Sequence, residues 1–223
     1  MAEQFHTCVA KCLFLSKRAR PDILVAVAFL CTRVKEPDND DWKKLQRLMY
    51  YLNGTKELCL CLNGEKKGNI QWWVDSSYAV HPDYRSHTGI VMTMGKGSPV
   101  NVSCKQKLNV KSSTEAELVG ADDAMSYVMW TKYFLKEQGY EETTSIMYQD
   151  NQSAILLEKN GTKSSSKRTR HMNIRYFYIT DRVKKGDLAI KYCPTGEMIA
   201  DFLTKPLQGS KFINFRKAIL NHE

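Results

Sequence analysis

None of the seven cysteines stands in a Cys-x-x-Cys pair, Cys8/Cys12 and Cys59/Cys61 being the nearest approaches. An odd count without that spacing argues against a zinc ribbon or a disulfide framework, and predicts reduced thiols in an intracellular compartment. Long hydrophobic runs are missing too. The longest, Ile23 to Cys31, is too short to span a bilayer and too far from the start for a signal peptide. Neither a membrane protein nor a secreted one is expected. Repeats and low-complexity tracts are absent apart from a Ser/Lys stretch at 161–167. Of the 223 residues, 43% are hydrophobic and 26% charged, which excludes collagen, coiled coil and wholesale disorder. A chain of this size buries roughly 70% of its unfolded surface.

Charge is unevenly placed. The net value is +9, yet residues 1–66 carry 11 basic and 8 acidic side chains, residues 67–158 carry 8 and 11, and residues 159–223 carry 14 and 5. A mildly acidic middle followed by a basic third suits a polyanion lying beside a carboxylate cluster. Solvated helix faces give the same pattern, and charge alone leaves both open.

Residues 4–53 read as helices. Arg20-Pro21-Asp22 punctuates them, since proline restricts the residue before it and suits a first helical turn. A second helix is expected at 22–34 and a third at 42–52, stopped by Asn53-Gly54. From Glu57 the period changes to two, with Leu58, Leu60 and Leu62 alternating with cysteines, and Asn63-Gly64 is a turn signal. Strands are expected at 70–75, 90–94 and 100–105, then a long amphipathic helix from Ser112-Ser113-Thr114 to about 138 with Leu118, Met125, Val128 and Met129 inward. The order then becomes strand (145–149), helices (151–159 and 170–185), strand (188–192), helix (197–203) and a last helix (211–220). Antiparallel strands followed by βαβ units predict an α/β fold: a mixed five-stranded sheet with helices on both faces and a helical extension before it.

Asp75 ends the first strand and Asp150 the fourth. If those strands are parallel neighbours, both carboxylates emerge at the carboxyl edge, where ligand sites of open α/β sheets lie. An aspartate after a strand is also an ordinary turn former or cap. Glu115 and Glu117 are two residues apart on the long helix, so only one can face the sheet edge. Ser112 with Glu115 makes a capping box, and so does Thr114 with Glu117. With Ser112 as the cap, Glu117 is released; with Thr114 as the cap, Glu117 is structural. Asp201 starts a short helix, where an acid also suits the helix dipole.

The words around these acids are distinctive: Arg85-Ser86-His87-Thr88-Gly89, Ser112-Ser113-Thr114-Glu115-Ala116-Glu117, Tyr148-Gln149-Asp150-Asn151-Gln152-Ser153-Ala154, Arg168-Thr169-Arg170-His171-Met172-Asn173-Ile174-Arg175-Tyr176, and Ala200-Asp201-Phe202-Leu203-Thr204-Lys205-Pro206-Leu207. In this order they resemble the ribonuclease H end of the reverse-transcriptase polyproteins of copia-type LTR retrotransposons. Arg20-Pro21-Asp22-Ile23 and Leu52-Asn53-Gly54-Thr55 are similar to the piece just upstream, at the end of the polymerase region. The resemblance implies a helical fragment at 1–62, a ribonuclease H-like domain at 67–207 and a C-terminal helix at 208–223. It also implies a catalytic, metal-binding quartet of Asp75, Glu117, Asp150 and Asp201, with Glu117 chosen because the family's glutamate directly precedes a leucine, here Leu118.

Four converging carboxylates repel one another unless divalent cations neutralise them. Hard oxygen ligands select magnesium or manganese. Two such ions about 3.5–4 Å apart would activate a water and stabilise the leaving oxygen of a phosphodiester. The resemblance further implies minor-groove contacts from Ser113, Thr114, Asn151 and Gln152, which can test for a 2′-OH, although Ser113 and Asn151 also suit helix capping. Lys163, Lys167, Arg168 and Arg170 would bind phosphates.

Two positions depart from the family pattern. Ser76-Ser77 stands where a second aspartate is common, and the loop Tyr192-Cys193-Pro194-Thr195-Gly196-Glu197 lacks the histidine found in many ribonucleases H, with Glu197 as a weak substitute. His171 reads as packing or a phosphate contact. The implied activity is hydrolysis of the RNA strand of RNA–DNA hybrids, with the polymerase part of the same polyprotein as partner and a cytoplasmic virus-like particle as location. A homodimer stays open. The rival reading is a non-catalytic, hybrid-gripping connection module.

Overall fold

The computed structural model describes residues 2–64, 70–140, 145–161 and 173–222. Helices α1 (Ala2–Arg18), α2 (Leu24–Cys31) and α3 (Asn39–Gly54) come first. They pack on one another through Phe5, Val9, Ile23, Val27, Leu30, Leu45 and Leu48. The corner between α1 and α2 is built by the Arg-Pro-Asp word. Pro21 opens a 3-10 turn over Pro21–Ile23. Arg20 donates two hydrogen bonds to the Asp22 carboxylate at 2.9 and 2.8 Å and a third to the Thr55 carbonyl at 2.8 Å. Tyr51 also donates to Asp22, at 2.7 Å. A buried, bidentate, fully partnered ion pair thus fastens the corner to the end of α3.

The 3-10 turn takes the start of the helix expected at 22–34, and α2 ends three residues early. Residues 57–61 alternate between exposed and half-buried but form no strand; the Cys61 N–H bonds instead to the Leu220 carbonyl at a helix end. Asn63-Gly64 does not turn. It forms β1 (Asn63–Gly64), paired antiparallel with β4 (Gly95–Lys96).

The main sheet holds five strands: β2 (Ile70–Ser77), β3 (His87–Thr93), β5 (Val100–Lys105), β6 (Ser145–Gln149) and β7 (Ala189–Tyr192), in the order β5-β3-β2-β6-β7. β2, β3 and β5 form an antiparallel meander, whereas β6 is parallel to β2 and β7 to β6. This is the mixed sheet flanked by helices expected from the sequence. Successive side chains of β2 point to opposite faces. Ile70, Trp72 and Val74 pack beneath α4 (Ser113–Glu137), with Met125 and Val128. Trp73 faces the other layer, with Phe202, Leu203, Phe215 and Ile219. That second layer is a 3-10 turn at Ile199–Leu203, where a helix was expected, and α7 (Gly209–Leu220). Leu24 of α2 joins the same cluster. The remaining helices are α5 (Gln152–Asn160) and α6 (Asn173–Lys184).

Candidate active site

β2 and β6 run parallel with Trp73 opposite Tyr148, so Asp75 and Asp150, each two residues further on, reach the same edge. α4 crosses over them. Its Ser112 side chain caps the helix by accepting from the Glu115 N–H at 3.2 Å. The Glu115 carboxylate turns back to accept from the Lys111 N–H at 2.8 Å. Ser112 is therefore the cap, Glu115 is structural, and Glu117 is free to face the edge. Ligand atoms of Asp75, Glu117 and Asp150 lie within 4.8 Å of one another.

Two glycines make this approach possible. A Cβ on Gly120 would meet Ser76 Oγ at 2.3 Å, so the bare glycine lets α4 lie this close to β2 without displacing that side chain. A Cβ on Gly89 would meet the Ala200 carbonyl at 2.8 Å and Thr204 at 2.7 Å. Gly89 is the residue opposite Asp75 in β3, so its bareness admits the turn that carries Asp201 and Thr204. Gln106 adds a tie, donating from Nε2 to Thr88 Oγ1 and the Ala116 carbonyl, each at 2.9 Å.

The remaining residues of the 85–89 word are structural. Ser86 accepts from the Ala79 N–H at 3.1 Å. His87 is buried between His81 at 3.0 Å and Ser103 at 2.8 Å, and burial lowers its pKa to about 4, so it is neutral at physiological pH. The serines at the departing position also pack: Ser76 lies under Gly120, and Ser77 donates to the Thr204 carbonyl at 3.4 Å.

The electrostatics are those of crowded anions. Glu117 is held well above the usual carboxylate range, first by burial and then by Asp75 and Asp150. Its Oε2 is buried with no hydrogen-bond partner. Burial also raises Asp75, opposed by Lys205 and by a hydrogen bond from Thr204 Oγ1. Asp150 accepts from Thr195 Oγ1 at 2.9 Å. An unpartnered buried oxygen among converging carboxylates is unfavourable unless a cation or proton occupies the space. The donor set is all hard oxygen, which fits Mg2+ or Mn2+.

Asp201 is placed differently. It is buried beside the cluster and close enough to raise the Asp75 pKa, but its carboxylate is paired with Lys205 and with Lys211, the latter at 2.6 Å. The three-carboxylate group among the described residues does not include it.

Of the expected substrate contacts, Ser113 is exposed and Thr114 half-buried at the start of α4, and Gln152 is exposed at the start of α5. Asn151 caps α5, its Oδ1 accepting from the Ala154 N–H at 3.1 Å, leaving its amide NH2 for a further contact. Lys163, Lys167, Arg168, Arg170 and His171 lie outside the described residues. Glu197 is exposed on the loop that supplies Thr195. Thr195, Thr204, Lys205 and Lys211 were not picked out by sequence reasoning. Thr204 and Lys205 stand inside a quoted word, and Thr195 within the histidine-free loop. Lys211 carries no signal, reading as an ordinary helix residue.

Behind the cluster, Glu158 of α5 is completely buried, and burial raises its pKa from 4.5 to about 8 against the lowering effects of Gln149 and Lys159. It adds to the field on Glu117. Between these values the native state keeps a proton that the unfolded chain loses, so stability falls as pH rises from about 4.5 to about 8. Glu158→Gln cannot ionise. Urea unfolding at pH 5 and pH 9 in EDTA should show the loss shrinking by on the order of 4 kcal/mol in the variant. An unchanged loss would mean that Glu158 ionises in both states.

No protein-family model matches the chain. It is 32% identical over 209 residues, 93% of its length, to the retrovirus-related Pol polyprotein from transposon TNT 1-94 of Nicotiana tabacum. It is 34% identical over 205 residues, 90% of its length, to that from transposon RE2 of Arabidopsis thaliana. The chain spans only 16% and 14% of these relatives. Among solved structures, LC11-RNase H1 in complex with RNA/DNA hybrid is similar at a TM-score of 0.44 and 15% identity, over 60% of this chain and 93% of that one. The prototype foamy virus protease–reverse transcriptase matches at 0.41 and 12%, over 69% of this chain and 20% of that one.

Proposed function

Because the chain belongs with the retrovirus-related Pol polyproteins of copia-type transposons, we propose that it is their ribonuclease H segment, hydrolysing the RNA strand of RNA–DNA hybrids. The observation that carries this reading is the convergence of Asp75, Glu117 and Asp150 at the carboxyl edge of the sheet. On this reading residues 67–207 form the nuclease domain, residues 1–62 are the end of the polymerase region and residues 208–223 a terminal helix.

Asp75, Glu117 and Asp150 would hold the divalent cation, with Asp201 beside them. Mg2+ or Mn2+ supplies, when bound, an activated water and charge neutralisation at the phosphodiester. The chain's own residues do the rest. Thr204 and Thr195 fix one oxygen each of Asp75 and Asp150, so that the carboxylates keep their aim. Ser113, Thr114, Asn151 and Gln152, at the two helix starts flanking the acids, would meet the minor groove, where hydroxyl and amide groups can distinguish ribose from deoxyribose. The polymerase part of the polyprotein is the proposed partner.

The rival, a connection module that grips hybrid without cutting it, is tested by adding Mg2+ to chain already bound to labelled hybrid in EDTA. RNA fragments should appear on addition. Stable binding with intact RNA at every metal concentration would favour the rival.

Phosphate affinity is assigned to the basic stretch. Changing Lys167, Arg168 and Arg170 together to Gln should flatten the slope of log affinity against log salt by about two to three. The loss should be similar for hybrid, duplex DNA and duplex RNA, since phosphates carry no base or sugar information. A filter-binding series at several salt concentrations checks it. An unchanged slope would leave the stretch as a solvated surface or a contact to the polymerase.

A further inference from the structure

Asp75, Glu117 and Asp150 each bring one carboxylate oxygen within 4.8 Å of the others, whereas both oxygens of Asp201 are taken. Lys205 Nζ pairs with Asp201 Oδ1 and also lies 3.5 Å from Asp75 Oδ2, so one ammonium group stands between two carboxylates. Lys211 Nζ lies 2.6 Å from Asp201 Oδ2. Asp201 itself is almost wholly buried, while each lysine keeps about two-fifths of its side-chain surface exposed (41% and 38%). The lysines can therefore swing out, and the aspartate cannot. Lys211 has other partners at hand: the Thr195 carbonyl at 3.5 Å and the Phe215 ring, 5.3 Å from its Nζ to the centroid.

A carboxylate whose two oxygens are both ion-paired can ligate a cation only after a pair opens. Resting on the nuclease reading above, we propose that Lys205 and Lys211 act as built-in counter-ions of Asp201, so that divalent cations enter in two unequal steps: the first at the unpaired group Asp75, Glu117 and Asp150, the second, which needs Asp201, only by displacing the lysines. Lys211 lies on α7, so the second step loosens a contact between the terminal helix and the site. Lys205 and Lys211 are positioning residues here, acting through Asp201.

Titration of the whole chain with Mn2+, following free Mn2+ by electron paramagnetic resonance, tests this without any cleavage readout. The wild type should bind one ion and then a second at least about tenfold more weakly, since the second site begins with its charge already neutralised. Lys211→Gln and Lys205→Gln should each tighten the second step by about tenfold and move the first much less. Lys211→Arg, which keeps the ion pair, and Lys217→Gln, which removes an equal charge elsewhere on α7, should behave as wild type. Circular dichroism confirms that each variant is folded, and the two single Gln variants provide independent tests.

Two equal ions in the wild type would overturn the inference, as would a Lys211→Gln effect matched by Lys217→Gln. If hybrid is still cut in either case, only this inference fails. No bound ion at all would remove the nuclease reading with it.

Discussion

Asp75→Asn and Asp150→Asn should each abolish cleavage of the hybrid, lowering the rate by about a thousandfold or more, since metal-assisted hydrolysis draws several kcal/mol of transition-state stabilisation from the ions. Each change removes a ligand charge at nearly constant volume. In the first variant the amide oxygen of the new side chain could still accept from Thr204 Oγ1, as the Asp75 carboxylate does, so the packing of β2 against the Ile199–Leu203 turn should persist. Asp75 is also held above its ordinary pKa by burial, which means that its charge costs the native state stability without metal. The unfolding transition of Asp75→Asn in EDTA should therefore match or exceed that of the wild type. Hybrid binding in EDTA should persist or tighten, because a negative charge beside the phosphates is gone. Wild-type cleavage by either purified variant would contradict the assignment.

The second large effect separates two glutamates two residues apart. Glu117→Gln should cost cleavage as heavily as the aspartate changes, whereas Glu115→Gln should leave most of it. Glu115 is committed to the Lys111 N–H, an acceptor role that a glutamine oxygen can keep. Glu117 has an unpartnered buried oxygen and faces Asp75 and Asp150. Metal affinity should follow the same ranking. Rates and Mn2+ affinities measured side by side decide it, and the reverse order would place the wrong face of α4 over the sheet edge.

Much of this arrangement was legible in the residues. Strong periodicity located the five strands and α4, and the apolar run Ile70-Gln71-Trp72-Trp73-Val74 matches a strand buried on both faces by different layers. The capping ambiguity at 112–117 was a real degeneracy, because both registers satisfy the same local rule. Tertiary packing broke it: α4 approaches β2 with Gly120 against Ser76, and the face that carries Gly120 also carries Glu117.

What the sequence could not show lies in contacts between distant segments. Lys205 and Lys211 are ordinary lysines until the Gly89 gap brings the Ile199–Leu203 turn against β3. Residues 57–62 have strand-like alternation, but whether a strand forms depends on a partner, and here a helix end supplied one hydrogen bond instead. The early halt of the 22–34 helix and the 3-10 form of Ile199–Leu203 belong with these. Local propensity permits a helix there, and the surrounding packing shortens or tightens it.

The central claim is that the edge cluster cuts RNA when it is paired with DNA. Hybrids labelled on one strand or the other, incubated with the chain in Mg2+ and in EDTA, test it most directly. The account predicts internal cleavage of the RNA strand alone, dependent on the metal and lost in Asp75→Asn. An intact RNA strand in Mg2+ and Mn2+ alike, or equal cutting of both strands, would contradict it.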